Sequence, residues 1–314
     1  MNEIDAFYQD KETCTVPSTH VIDGTDSSPL LEIDELFGAA DVLSICNAEK
    51  RRRVLLALSV AGTLLTLAFL LYDEAEIHGL ILACGAMILC LFFVRHISER
   101  MDCHRKYLEY RVLAECLRCQ YFLTYAGATA SVLDILPWSV RKGIPWITEI
   151  LKGIPAAEDA EKHSVLSCWI NDQKKYHEKA LRKTEIEDRR NGLTAKAVLI
   201  VTIVTYVAAL VFELAVYGKG GATADQDVMR IILKIMLGTM SAVTLFTGNY
   251  YGKMSLSNVI DDHKRMISLY ETAEEEIAKY GESEELLLSL AREFLNENST
   301  WYSYQSKNKP EIIM

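Results

Sequence analysis

Two cysteines three positions apart, Cys116 and Cys119, form a pattern that occurs in metal sites and redox centres. Cys103 and His104 lie upstream, but the chain has no second C-x-x-C pair to complete a zinc site. On a continuous helix the two thiols lie one turn apart on one face, which favours a structural role. The chain also lacks HExxH, Glu-x-x-His, GxSxG, Walker A and GxGxxG sequences. We therefore expect no enzyme, no bound metal and no cofactor.

Charged side chains within apolar stretches are the second group with a possible function. Glu213 and Lys234 each lie about four residues from the end of a predicted membrane span, where an isolated charge is costly. On antiparallel helices they would share one depth and could form a pair. Polar residues continue both helical stripes, namely Thr202, Thr205, Ser241 and Thr244. Two interpretations stay open: the stripes line a water-filled path in an oligomer, or they only pack helices.

Glu213, Lys234 and the polar residues of their stripes lie in or next to apolar runs, and the chain has four such runs without charged residues. They cover 54–71, 77–94, 197–212 and 235–252, each 16 to 18 residues long. The pattern predicts an all-α membrane protein with four transmembrane helices in two hairpins, at 51–97 and 196–253. The composition, with 24% charged residues and a net charge of -10, excludes a disordered chain and a basic nucleic-acid binder. The expected partner is the lipid bilayer.

The distribution of basic residues predicts which ends of the spans face the cytoplasm. A cluster at 50–53 precedes the first span, whereas the loop after it is acidic and has no Lys or Arg. Basic residues also follow the second span, precede the third and follow the fourth, while the 218–229 loop contains only Lys219. Because basic residues accumulate on the cytoplasmic side, both termini are expected there.

The segments outside the spans are predicted to be mostly helical. Residues 1–30 lack a periodic apolar face and predict a flexible tail, and 31–50 form a lead-in helix to the first span. Residues 98–195 form a cytoplasmic stalk and tip, with single helices expected from Ile77 to about Tyr125 and over 161–217. Residues 254–314 form C-terminal cytoplasmic helices with a break at Gly281.

The segment 126–160 interrupts the predicted stalk. It contains Pro137, Pro145 and Pro155, which stop helices, together with Trp138 and Trp146. The two tryptophans are candidates for a partner surface. The alternative is a turn that packs its own tryptophans.

Several short motifs resemble the SLATT superfamily of bacterial membrane effectors. The segment 110–118, YRVLAECLR, is similar to the family signature Y-R-x-x-A-E-x-L-R after a transmembrane hairpin. Further similarities are Trp169-Ile170-x-Asp172-Gln173 before the second hairpin, Leu36-Phe37 with Ala40-Asp41, and the C-terminal stretch LAREF with Trp301. The resemblance covers roughly residues 31–312. It gives six signature positions, which either bind a ligand or brace the stalk: Tyr110, Arg111, Glu115, Arg118, Trp169 and Gln173.

The resemblance implies a homo-oligomeric, pore-forming effector of bacterial anti-phage defence in the inner membrane. Members of the family are commonly fused to, or encoded beside, a nucleotide-sensing SLOG domain or a cyclic-nucleotide synthase. The 50 residues before the first span are too few for a SLOG domain. A sensor, where one is needed, would therefore be a separate nucleotide-sensing or nucleotide-synthesising protein, or the cytoplasmic helices themselves. The alternative from another class is a non-conducting membrane scaffold that recruits a soluble sensor or enzyme.

Overall fold

The protein is almost entirely α-helical. The computed structural model describes residues 2–22, 28–154, 163–217 and 224–307, and these residues contain no strand. Four helical stretches within this part are long and apolar enough to cross a membrane. The expectation of an all-α, multi-pass membrane protein is thereby confirmed.

Eleven α-helices and one π-helical turn make up the described chain. In chain order the helices and the turn are α1 (Glu3–Thr13), α2 (Ser28–Glu74), α3 (Leu80–Met101), α4 (Cys103–Tyr125), α5 (Val132–Ile135), α6 (Trp138–Gly143), α7 (Pro145–Lys152), the π-helical turn (Leu166–Asn171), α8 (Asp172–Tyr217), α9 (Ala224–Met254), α10 (Leu256–Tyr280) and α11 (Glu284–Gln305).

These helices belong to two compact units. The helical domain consists of the described residues within Met1–Arg51, Asp102–Lys183 and Asn258–Lys309, and the transmembrane unit of Arg52–Met101 with the described part of Thr184–Ser257. Helices α2 and α8 each continue from one unit into the other without a break. Both units are therefore joined through uninterrupted helical backbone at two points.

The other two long helices expected from the sequence are broken. The single helix predicted from Ile77 to about Tyr125 is wrong, because Asp102 adopts a left-handed conformation with φ 46° between α3 and α4. Aspartate tolerates this conformation better than most residues, and Arg105 Nε lies 2.5 Å from its Oδ2. Ser255, with φ 50°, separates α9 from α10 in the same way.

The helix expected over 161–217 begins later than predicted. Residues 161 and 162 lie outside the described part, and regular α-helix begins only at Asp172, after the π-helical turn. Glu282 holds the start of this turn: its carboxylate accepts hydrogen bonds from Ser164 Oγ (2.6 Å) and from the backbone N–H groups of Val165 and Leu166 (3.1 Å each). Glu282, which lies just before α11, therefore satisfies the first backbone N–H groups of the π-helical turn, and no preceding helical turn is needed for them.

The expectation of a flexible tail over residues 1–30 is wrong for most of that segment. Helix α1 buries Phe7 completely, with its ring 5.5 Å from that of Tyr110 and 6.0 Å from that of Trp146. Asp10 accepts hydrogen bonds from Lys106 Nζ (2.6 Å) and Tyr110 Oη (2.7 Å) on α4. Helix α1 is thus held by the ring of Phe7 and the carboxylate of Asp10. Because it has no apolar stripe, the sequence pattern does not predict it.

Residues 19–21, which follow α1, are bound by two aspartates of α2. Asp34 accepts the backbone N–H of Val21 and contacts His20 Nδ1, both at 2.6 Å, and Asp41 accepts Thr19 Oγ1 at 3.0 Å. Gly38 lies between these anchors on α2. A Cβ atom at this position would lie 2.2 Å from the carbonyl oxygen of Thr19, so only glycine permits this approach.

The remaining predicted elements agree with the structure. Residues 31–50 are helical and lead directly into the first span as part of α2. Gly281, with φ 80°, separates α10 from α11, and Ser283 caps α11 by accepting the N–H of Leu286. Pro137 and Pro145 stand at the starts of α6 and α7, whereas Pro155 and Lys219 lie outside the described residues.

Replacing Gly38 by alanine tests the docking of the N-terminal segment. The added methyl group would overlap the carbonyl of Thr19, so we expect Gly38→Ala to lower the free energy of unfolding by about 1–3 kcal/mol and to expose residues 14–22 to proteolysis. Chemical denaturation and limited proteolysis in detergent measure both effects.

Gly192→Ala is the matched control, because Gly192 lies within α8 and a Cβ there meets nothing within 4 Å. This control should be neutral or stabilising by about 0.5–1 kcal/mol. Equal stability and equal protease resistance of Gly38→Ala and wild type would contradict the close approach seen in the structure.

Candidate functional site

The helical domain contains a cavity of about 330 Å³, which is the size of a small-molecule site. Helices α2, α4, α8, α10 and α11 and the π-helical turn all line it. Four of the predicted signature residues, Arg111, Glu115, Arg118 and Trp169, belong to this lining. The structure thus brings together residues that are up to 58 positions apart in the chain.

A cluster of three charged side chains on α4 forms one wall of the cavity. Glu115 Oε1 lies 2.5 Å from Arg111 Nη2, and Arg118 Nη1 donates to both oxygens of Glu115 at 2.9 and 2.8 Å. Arg111 Nη1 also lies 3.3 Å from Asp41 Oδ1 on α2. Burial alone would raise the pKa of Glu115, but the two guanidinium groups outweigh it and lower that pKa, so the carboxylate stays ionised.

Aromatic side chains form the deepest part of the cavity. Trp169 is fully buried; its ring stacks on Phe122 at 5.0 Å and meets the edge of Phe294 at 5.4 Å. Tyr270 continues this cluster, with its ring centroid 4.7 Å from that of Phe294. On another side, Trp301 meets Tyr107 at 5.7 Å. The cavity therefore offers flat apolar surfaces beside its charged wall.

Two histidines from different helices face each other in the lining. The Nδ1 atoms of His177 on α8 and His263 on α10 lie 3.0 Å apart. Burial, then the neighbouring His263, lowers the pKa of His177 to about 3, and burial also lowers the pKa of His263. Both rings are therefore uncharged near neutral pH, and one of them donates its Nδ1 proton to the other.

A second group of charges closes the opposite side of the cavity. Asp262 and Glu297 both contact Arg265, at 2.8 Å and 3.2 Å respectively. Burial raises the pKa of each carboxyl group, because removal from water disfavours the charged form.

The remaining signature residues lie at the edge of this site or outside it. Gln173 Oε1 is 3.4 Å from Arg118 Nη1 and therefore extends the charged wall. Tyr110 points away and bonds to Asp10 of α1. The signature residues were expected either to bind a ligand or to brace the stalk. Tyr110 makes contacts only within the domain, whereas Arg111, Glu115 and Arg118 make such contacts and also line the cavity.

Cys116 and Cys119 are buried within the helical domain. Burial raises the pKa of both thiols, which keeps them protonated and unreactive. Among the described residues no group of three or more His, Cys, Asp or Glu side chains could hold a metal ion.

The charges of the transmembrane unit form different pairs from the one expected. Glu213 pairs with Arg230, at 2.6 Å to Nε, and Lys234 pairs with Glu74 at 2.9 Å. The expected Glu213–Lys234 pair is therefore wrong. Arg230 lies one turn before Lys234 on α9, and Glu74 ends α2, so nearer partners are available to both residues. Within the single chain about half of each predicted side chain remains exposed, 47% for Glu213 and 54% for Lys234.

The hydroxyl groups predicted to line a path bond mainly to their own helices. Thr202 donates to Val198 O, Ser241 to Leu237 O and Thr244 to Met240 O, each at 2.9 Å, and Thr205 is buried. Close helix packing also occurs, because Gly62 and Gly238 admit the side chains of Phe246 and Leu70. These contacts agree with the packing interpretation within one chain.

The two tryptophans of the predicted partner surface have different environments. Trp146 is buried, and its Nε1 donates to Glu109 Oε2 at 2.9 Å, so its assignment to a surface is wrong. Pro145 starts α7 and turns this indole toward α1 and α4. Trp138 is 71% exposed, with Lys142 Nζ 5.1 Å from its ring, and remains available to a partner.

The residues on the C-terminal helices that line the cavity were not predicted from the sequence. His263, Asp262, Glu297 and Tyr270 lie on the polar C-terminal helices, where their spacing alone resembles a solvated helix face. The buried stripe Tyr270, Ala273 and Ile277 on α10 was the available signal that this helix packs against a partner.

Replacing Glu115 by glutamine tests the charged wall. The amide removes the negative charge that two guanidinium groups share, so we expect Glu115→Gln to lower the free energy of unfolding by about 3–5 kcal/mol. Denaturation in detergent measures the change. Glu293→Gln, on the exposed side of α11, is the matched control and should change stability little. Equal stability of the two variants would show that the wall does not hold the domain.

The histidine pair predicts a specific pH dependence of stability. An unfolded chain protonates His177 near pH 6.5, whereas the folded protein does so only near its lowered pKa of about 3. Between these values the unfolded state binds more protons, so stability falls as the pH falls, by at most about 1.4 kcal/mol per pH unit. His177→Gln should reduce the loss between pH 7 and pH 5, as measured by denaturation at both pH values. His96→Gln, at an exposed position of α3, should keep the wild-type slope, and an unchanged slope in His177→Gln would refute the assignment.

Comparison with known proteins adds no relative to these observations. No family model matches the chain, and neither a curated protein nor a solved structure does. The resemblance to the SLATT superfamily stays a prediction that rests on the motifs quoted above.

Proposed function

We propose that this protein is a homo-oligomeric, pore-forming membrane effector of a bacterial anti-phage defence system. Its helical domain receives a nucleotide signal or binds a sensor partner, and the response opens a path that depolarises the inner membrane. A separate nucleotide-sensing or nucleotide-synthesising protein supplies the signal, and both termini lie in the cytoplasm. The motif resemblance and the distribution of basic residues support this proposal.

The observation that carries the proposal is the continuity of α2 and α8. Helix α2 lines the cavity with Ser44 and Ala48, and α8 lines it with Tyr176 and His177. Each helix then continues without a break into an apolar stretch that can cross a membrane. A ligand or partner that prefers one arrangement of the cavity walls therefore biases the position of two spans.

The exposed charges of the transmembrane unit support an assembly of several copies. Glu213 and Lys234 are each about half exposed in the single chain. Polar groups at membrane depth face protein or water rather than lipid, and four helices are too few to enclose a wide channel. A path between protomers, lined at one end by these ion pairs, satisfies both conditions.

Membrane potential in cells tests the proposal directly. We expect phage challenge to depolarise cells that express the wild type and to leave cells with Glu213→Gln/Lys234→Met polarised, at equal membrane abundance. The matched control is Glu275→Gln/Lys175→Met, which makes the same charge changes at exposed positions of the helical domain. This control should depolarise like the wild type. Protection from phage without depolarisation in the wild type would refute the pore.

The exposed ring of Trp138 favours a second candidate function, a non-conducting scaffold. A large aromatic side chain that is 71% exposed is typical of an interaction surface. If the protein recruits a soluble sensor or enzyme through this residue, Trp138→Ala abolishes protection while Glu213→Gln/Lys234→Met is tolerated. The pore proposal predicts the reverse for the second variant.

A further inference from the structure

Each arginine in or beside the cavity lining is already paired with at least one carboxyl group. Arg111 and Arg118 share Glu115, Arg111 also contacts Asp41, and Arg265 contacts the two carboxyl groups on the opposite side. The lining itself holds two arginines against three carboxyl groups, while burial keeps both histidines neutral. An anionic ligand would have to separate an arginine from its carboxylate and would leave that carboxylate buried and unpaired.

One buried acceptor in the lining is only partly satisfied. Glu297 Oε1 is shielded from solvent and lies 3.2 Å from Arg265 Nε in an ion pair, but it accepts no well-directed hydrogen bond from any residue in the described part of the chain. A buried acceptor in this position gains from a further donor. A ligand with an N–H group would supply a well-directed hydrogen bond.

The flat surfaces of the cavity suit a planar ring. Trp301 and Tyr107, which are partly exposed, offer ring surface for packing, and the buried rings of Trp169, Tyr270 and Phe294 complete the apolar lining. The contact between His177 and His263 occupies one nitrogen of each imidazole, and the other nitrogen of each ring can exchange hydrogen bonds with a heterocycle.

We propose that this cavity binds a planar nitrogen heterocycle that is uncharged or carries a single positive charge. Its ring packs against the aromatic lining, and an N–H group donates to Glu297. The inference deepens the proposed function, on which it rests only for its effect on the membrane. A phosphorylated nucleotide would then act through a partner protein rather than in this cavity.

Isothermal titration calorimetry of the full chain in detergent, with two matched pairs of probes, tests the inference. Adenosine is compared with AMP, which adds an anionic phosphate, and the cation tryptamine with the anion indole-3-acetate, so that the members of each pair share a ring and differ mainly in charge. We expect at least one of adenosine and tryptamine to bind and its anionic counterpart to bind about tenfold or more weakly. Equal or tighter binding of the anions overturns the proposal, as does the absence of binding by all four probes.

Two variants link this discrimination to the cavity. Asp262→Asn/Glu297→Gln removes the lining carboxylates that repel anions, so we expect it to reduce the difference between the members of a pair. Asp261→Asn, at the exposed neighbouring position, should keep the wild-type difference. A thermal denaturation of each variant shows that it is folded, and unchanged discrimination in the folded double variant overturns the assignment of the site.

The binding measurement and the membrane-potential measurement test separate claims, so either claim can be refuted without the other. Binding with the expected charge preference but no depolarisation refutes the pore and leaves the ligand class in place. Challenge-dependent depolarisation with no binding of any probe refutes the ligand class and leaves the pore in place.

Discussion

Glu115 shares its negative charge between Arg111 and Arg118, and three segments of the helical domain meet at this buried contact. Arg111 extends it to Asp41 on α2, and Arg118 extends it to Gln173 on α8. An ion cluster removed from water is stabilising only when each charge keeps its partner, so the arrangement of these helices is constrained by geometry rather than by apolar contact alone. The same constraint forms one wall of the cavity. Moving one of these helices would break several of these contacts at once, so we expect the helices that form this wall to move together.

The four places at which the chain passes between the helical domain and the transmembrane unit are of two kinds. Asp102 and Ser255 break the chain with left-handed conformations, and these breaks separate α3 from α4 and α9 from α10. Helices α2 and α8 have no such break and contribute residues to both units. A broken backbone transmits little bending, whereas a continuous helix is stiff along its axis. For the function that we propose, α2 and α8 are therefore the helices that can carry a change in the cavity walls along their axes.

The four membrane spans were predictable because a helix that crosses lipid must be predominantly apolar over about 20 consecutive residues. Gly281 and Ser283 were predictable for a local reason, since a helix end requires particular residue types. Helix α1 and the burial of Trp146 were not predictable, because they depend on single contacts with distant residues such as Tyr110 and Glu109. Four lining residues of the cavity, Arg111, Glu115, Arg118 and Trp169, had been singled out by the sequence motifs. His263 and Glu297 were not, because they lie on helices whose polar residues resemble an ordinary solvated surface.

The charges of the transmembrane unit show why residue type alone does not assign a path. Glu213 and Lys234 were predicted to pair because they share a depth, but each has a nearer partner in Arg230 and Glu74. Each pair neutralises its own charge and lowers the cost of placing it near lipid. The threonine and serine hydroxyls are likewise satisfied by their own helices. The described polar groups of the transmembrane unit are thus satisfied within a single chain, so the pore that we propose would have to form between protomers rather than within one.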